Sequence, residues 1–323
     1  MTAVVDHGVI SLLRPARVAV AVIAATTALV AGPAPTGASA APPAPCATWR
    51  ASGVADGLGT LENLSFDGRG GLLLSAGQAG GGAGDILRLT PSGRTEVIVP
   101  DVAAPGGHVV VGRRLFFTTG NGFADGLLGD LGYRRGTLSV VDLDTRKVRV
   151  LARKLAMPNG LVRLPDGSFL ASRDLGLPGR TTRLYRDGRR DTFAPSVTST
   201  NGMAVDAERR LVYLVSTFNP TSTISVVDLR RPDRTPRVIT LDGFGPANAA
   251  DEITLGADGQ LYVTLNVAGK VVRVDPASGR QCTIASGIPF ASSLRFGAGR
   301  GWDRDSLYVT DFLGSVTRLR PPA

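Results

Sequence analysis

One short pattern is written five times along this chain, and it constrains the fold more than any bulk property. Its clearest copy is Ala250-Asp251-Glu252-Ile253-Thr254-Leu255-Gly256-Ala257-Asp258-Gly259-Gln260-Leu261-Tyr262-Val263. A polar residue enters a short strand, an Asp-Gly turn follows, and a second strand of alternating character leaves it. Leu61-Glu62-Asn63-Leu64 running on to Leu72-Leu73-Leu74 repeats it, as does Pro158-Asn159-Gly160-Leu161 running through Pro165-Asp166-Gly167 to Phe169-Leu170. Thr200-Asn201-Gly202-Met203 leading to Leu211-Val212-Tyr213-Leu214, and Ser292-Ser293-Leu294 leading to Leu307-Tyr308-Val309, complete the set.

Counting outward from these copies gives six units, at residues 61–99, 107–151, 158–194, 200–241, 250–285 and 291–321. Four short strands in a period of about 40 to 50 residues are the signature of a β-propeller. The last unit is one strand short, and residues 47–57 supply one strand with no partner in sequence. If that N-terminal strand completes the last unit the ring closes and exposed sheet edges disappear. The expected fold is therefore all-β, a six-bladed propeller over residues 46–323. No window after residue 40 carries a helical period. An insertion, Thr118 to Arg135, falls between the second and third strands of unit two. It reads either as a glycine-rich loop or as a lid placing Phe123 and Leu127 over a site.

The first 40 residues stand apart. Arg14 and Arg17 precede the apolar run Val18 to Ala31, and Ala38-Ser39-Ala40 offers small residues for cleavage, the pattern of a secretory signal peptide. Fourteen residues in helix reach only about 21 Å, short of the roughly 30 Å hydrocarbon core. Export, cleavage after Ala40 and a flexible leader over 41–45 are expected, with no stable membrane insertion afterwards and a monomer as product. An exported pair of cysteines is usually oxidised, so Cys46 and Cys282 are expected to pair.

Charge excludes less than it suggests. The chain carries 36 Lys and Arg against 27 Asp and Glu. Doublets such as Arg113-Arg114, Arg189-Arg190 and Arg230-Arg231 are scattered through turns. A nucleic-acid binder would cluster them on one element with aromatic platforms between, so no nucleic-acid partner is expected.

In a propeller the innermost strand of each blade lines the central channel, so residues at matching phase converge. Glu62, Asn159, Asn201 and Asp251 share that phase, and all are oxygen donors. Two carboxylates and two carboxamides suit Ca²⁺, or another hard divalent cation, better than Zn²⁺. Beyond the leader only His108 remains, so a histidine-rich zinc site cannot be built.

These motifs resemble the senescence marker protein/gluconolactonase (luciferin-regenerating-enzyme-like) family, six-bladed propellers related to paraoxonase and diisopropylfluorophosphatase. The resemblance covers residues 58–320. It implies a channel metal held by Glu62 from the first blade, Asn159 and Asn201 from two middle blades, and Asp251 from the fifth. It also implies hydrolysis of a lactone or related ester, with the metal polarising the carbonyl and Asp251 acting as base or as nucleophile. Departures are visible. The proline and tryptophan of the family's Glu-x-Pro-x-Trp motif are missing after Glu62, and Glu252 replaces the glycine after the aspartate. Met157 stands where the family has an arginine that contacts sugar lactones, which argues against a sugar acid lactone. Glu252 either reaches the metal, as the second donor does in paraoxonases, or faces away in the alternating strand. His108 is either a catalytic base, as a histidine near the metal has been cast in paraoxonase-like enzymes, or hydrogen-bonded scaffolding. The alternative to an enzyme is a propeller that binds a ligand or partner without turnover, its metal purely structural.

Overall fold

The computed structural model describes residues 46–176 and 179–322. The expected signal peptide at 1–40 and the leader at 41–45 lie outside the described residues. Six four-stranded antiparallel sheets form the blades of a propeller, as the repeat predicts. Their innermost strands are Thr60–Phe66, His108–Val111, Leu161–Arg163, Thr200–Asp206, Ala250–Leu255 and Ala291–Phe296. The sixth sheet takes its outermost strand, Arg50–Ala55, from the N-terminus, paired antiparallel with Val316–Arg320. Among the described residues no helix is long and apolar enough to cross a membrane.

Runs such as Leu72-Leu73-Leu74 are explained by the way blades stack. Successive side chains of a strand point to opposite faces of its sheet, and here both faces are covered. Leu72 and Leu74 pack with Trp302 and Tyr308 of blade 6, whereas Leu73 packs with Leu115, Phe117 and Val141 of blade 2. The core is accordingly six separate clusters, one at each junction between blades.

Nearer the axis, hydroxyl groups bind neighbouring blades, with Thr181 Oγ1 of blade 3 donating to Thr200 Oγ1 of blade 4 at 2.9 Å. Ser75 Oγ donates to the carbonyl of Gly106 at 2.6 Å, Thr118 Oγ1 to that of Asn159 at 3.2 Å and Thr217 Oγ1 to that of Ala250 at 2.8 Å. Thr264 Oγ1 donates to Ser292 at 3.2 Å, and Ser292 Oγ closes the circle on Leu61 at 2.6 Å. These hydroxyl groups are buried, and each would cost about 1–3 kcal/mol if left without a partner.

The seam of the ring is also locked covalently. Cys46 and Cys282 form a disulfide with Cα atoms 5.6 Å apart, and the Trp49 amide donates to the Ile284 carbonyl at 2.8 Å. Both contacts join the leading edge of the N-terminal strand to the outer strand of blade 5, Gln281–Ser286.

Two short helices, Phe123–Leu128 and Gly245–Asn248, depart from the expectation of no helix. Six and four residues are too few for a 3.6-residue period to register.

Candidate metal centre

Each inner strand delivers its polar residue to the channel because the backbones beside it run unusually close. A side-chain carbon on Gly160 would lie 2.7 Å from the Asn201 carbonyl, and one on Gly202 would lie 2.6 Å from that of Asp251. Both are closer than real side chains allow. The glycine after each of Asn159 and Asn201 is thus a packing requirement, placing the donor of one blade against the backbone carrying the next.

Glu62, Asn159, Asn201 and Asp251 all line one cavity of about 560 Å³ at the end of the channel where the inner strands begin. All but Glu62 are buried, and Glu62 is half-buried. Asp251 is held from two sides, Asn201 Nδ2 donating to Oδ1 at 2.8 Å and Asn266 Nδ2 to Oδ2 at 3.0 Å. Asn121 Nδ2 donates to Glu62 Oε1 at 2.8 Å.

Asp174 is a carboxylate that sequence reasoning missed. It is buried on the loop after the second strand of blade 3, lines the same cavity, and keeps Oδ1 without a protein partner. Asn121, Asp174, Phe218, Asn266 and Phe312 form an outer tier around the quartet. A readable signal does exist: in blades 3 and 5 the residue two after the buried hydroxyl of the second strand, Ser172 to Asp174 and Thr264 to Asn266, is polar and enters the cavity.

Three carboxyl groups in one recess repel one another. Burial first, then the charges of Asp174 and Glu252, raise Glu62 to about 7, opposed by hydrogen bonds from Asn121 and Asn159. Burial raises Asp174 to about 6, against hydrogen bonding to Asn159. Burial followed by the charges of Glu62, Asp174 and Glu252 holds Asp251 well above the usual carboxylate range. Among the described residues no three carboxylate, imidazole or thiolate side chains close on one point to hold a metal ion. A cation here therefore depends on the carboxamide oxygens of Asn159 and Asn201. The donor chemistry fits a hard cation: oxygen only, excess negative charge, and buried acceptors on Asp174 and Asn121 with no protein partner.

His108 does not share this cavity. It opens toward a second recess further along the channel, with Ser65, Arg163, Met203 and Arg295. Its Nδ1 makes a 2.8 Å hydrogen bond with Ser65 Oγ, and Nε2 is buried without a partner. Burial, and next the positive charge of Arg295, lower it to about 3. Just before the inner strand of blade 2, Gly106 and Gly107 lie against the backbone of Asn159, and His108 follows them deeper in the channel.

Glu252 also faces away from the first cavity, as the alternation of its strand predicts. It accepts from Asn63 Nδ2 at 2.9 Å and pairs with Arg295 Nη2 at 3.2 Å. The insertion of blade 2 forms part of the cavity wall. Phe123 lines the cavity and is 60% exposed; Leu127, 50% exposed, does not line it. Gly126 lets the helix settle on Met157 and Leu175, and Arg173 ties it down through Asp130 at 2.8 Å and the Gly126 carbonyl at 2.8 Å.

Comparison with known proteins agrees with this architecture. Residues 170–312 match the SMP-30/Gluconolactonase/LRE-like region. A structural-genomics target assigned as a gluconolactonase superposes with a TM-score of 0.64 at 16% identity, covering 84% of this chain and 92% of that one. A gluconolactonase from Xanthomonas campestris gives 0.63 at 16% identity, over 85% and 90% of the two chains. Virginiamycin B lyase from Staphylococcus aureus shares the fold more distantly, with 0.53 at 10% identity over 85% and 99%. No curated protein matches by sequence. The family that the motifs resemble is thus the one whose model matches residues 170–312.

Proposed function

We propose that the protein is a calcium-dependent hydrolase of lactones or related esters, working in the cavity lined by Glu62, Asn159, Asn201 and Asp251. The observation that carries this reading is the meeting of four oxygen donors, one from each of four blades, in a single cavity. The two carboxylates and two carboxamides would hold the ion, which when bound supplies Lewis-acid polarisation of a carbonyl and stabilises developing negative charge.

The chain's own residues do the remaining work. Asp251 is oriented by Asn201 and Asn266 to take a proton from water. Asp174 is a second carboxyl able to hold a proton near neutral pH. Above this polar floor the walls are apolar, with Met157, Phe123, Phe218, Phe290 and Phe312. Such walls favour a substrate with an alkyl or aryl portion over a polyhydroxylated sugar lactone. The Cys46–Cys282 bridge supports an oxidising, exported setting.

The test is turnover of a panel of γ- and δ-lactones and aryl esters with calcium and with a chelator. Alkyl lactones or aryl esters should be cleaved only with calcium, and Asp251→Asn should lower the rate by about 10²–10⁴-fold, the usual share of a general base. A folded, calcium-loaded protein that cleaves none of them would instead be a binding propeller.

A further inference from the structure

The arginine doublets that look scattered along the sequence are not scattered in space. The turns at Arg113-Arg114 and Arg189-Arg190 belong to neighbouring blades, and both line one groove of about 600 Å³ between blades 2 and 3. The groove lies beside hairpin turns at the opposite end of the blades from the candidate metal centre.

Strand length explains the groove. The strands of blade 3 have three, three, four and four residues, against four, six, seven and eight in blade 2. The shorter sheet leaves part of its neighbour's face uncovered. The junction between them has six buried apolar residues, compared with fourteen between blades 4 and 5. Phe116, Leu138 and Phe169 form the floor of the opening.

No aspartate or glutamate lines it. Arg113 is balanced by Asp142 at 2.9 Å, and Arg189 lies 3.7 Å from Asp191 and 4.0 Å from Asp187. Arg114, Arg149, Arg163, Arg186 and Arg190 have no carboxylate within ion-pair distance among the described residues. All but the half-buried Arg163 are exposed. Five unpaired guanidinium groups drawn from two walls raise the local potential well beyond what separate surface charges produce.

We propose that this groove binds a multiply charged phosphate ligand, a chain of phosphate groups lying between the walls of blades 2 and 3. Guanidinium groups present paired N–H donors that match phosphate oxygens bidentately, which makes arginine rather than lysine the residue for this task. The aromatic rings argue against nucleic acid. Arg183 and Arg189 already lie over the Tyr185 ring at 4.7 and 3.7 Å, and Phe116 and Phe169 pack on each other at 4.8 Å. Bases would find no free stacking platform.

The experiment is calorimetric titration of the full chain with short-chain inorganic polyphosphate at low and high salt. Binding is expected, weakening as salt rises. Arg149→Gln/Arg190→Gln, and independently Arg114→Gln/Arg186→Gln, should each weaken it by about tenfold or more, since a charged hydrogen bond contributes about 1.5–3 kcal/mol. The control Arg230→Gln/Arg234→Gln removes the same charge from blade 4 and should stay within about twofold, because screening confines the effect of distant charges. Circular dichroism confirms that each variant is folded. Absence of polyphosphate binding, or an equal loss in the control, overturns the proposal. So does polyglutamate bound as tightly as polyphosphate, which would mean carboxylate recognition, or a single-stranded oligonucleotide bound more tightly, which would mean that bases are read.

Discussion

Replacing His108 by asparagine tests whether this histidine is scaffold or catalyst. Asparagine keeps a polar atom near the position of Nδ1, where Ser65 Oγ lies 2.8 Å away, and removes the titrating ring. In the folded protein burial and Arg295 hold the imidazole at about 3, against an ordinary 6.5. A group depressed on folding contributes stability above its unfolded value and loses it as pH falls toward the folded one. At pH 5 the unfolded chain has bound the proton and the folded chain has not, a gap of about 1.5 log units, or about 2 kcal/mol. For a domain of this size that is about 4 °C in melting temperature. The buried carboxyls act oppositely, taking up protons in the folded state over the same range, so the wild-type curve alone is uninformative. The difference between wild type and variant isolates the histidine. Melting curves at pH 7.5 and 5 should show His108→Asn losing about 2 kcal/mol less on acidification, while cleavage of any substrate found continues at a comparable rate. Equal losses in both proteins would refute the burial argument, and loss of turnover in a folded variant would return His108 to the reaction.

Glu62→Gln probes the other end of the channel. Glu62 is raised from 4.5 to about 7, so the stability tied to its proton is present below 4.5 and lost as pH rises through 7. In chelator at pH 8 the glutamine variant, still able to accept from Asn121, should be more stable than wild type by about 3 kcal/mol, and the gap should close at pH 4.5. Calcium should then raise the melting temperature of wild type and not of the variant; a variant less stable than wild type in chelator would refute the repulsion. Cys282→Ser opens a loop spanning a separation of 236 residues and should destabilise the ring by up to about 5 kcal/mol, read as a lower melting temperature without reductant.

How much of this was legible follows from where each residue sits. The blades were readable because their inner strands are largely buried between neighbouring blades, so each unit must repeat the same apolar core and turn. The quartet was readable because each donor sits at a fixed offset from that core. The closing strand was legible for a similar reason, as an incomplete last unit needs a partner from the other end, whereas the cysteine pair was legible from the oxidising setting that an export signal implies. Asn121 was not, since it lies in a loop where the repeat ends and lengths differ from blade to blade, and Asp174 is marked only by its spacing from Ser172. His108 lies outside that cavity because a strand start in sequence is not a fixed depth in the channel: Gly106, just before the inner strand of blade 2, sits at the level where neighbouring blades carry donors.

The two ends of the ring thus answer to different parts of the sequence. Acidic and amide groups enter where inner strands begin, and there the largely buried carboxyls repel one another. Arginines collect at the opposite turns between blades 2 and 3, where short strands leave an interface partly open, and there they remain solvated and call for an anion. A closed ring permits this because each blade contributes its strand starts to one rim and its hairpin turns to the other. Chemistry of opposite sign can therefore be carried by the same repeat, and a substitution at one rim should leave the other unmoved unless it breaks the inter-blade hydroxyl bonds that run between them.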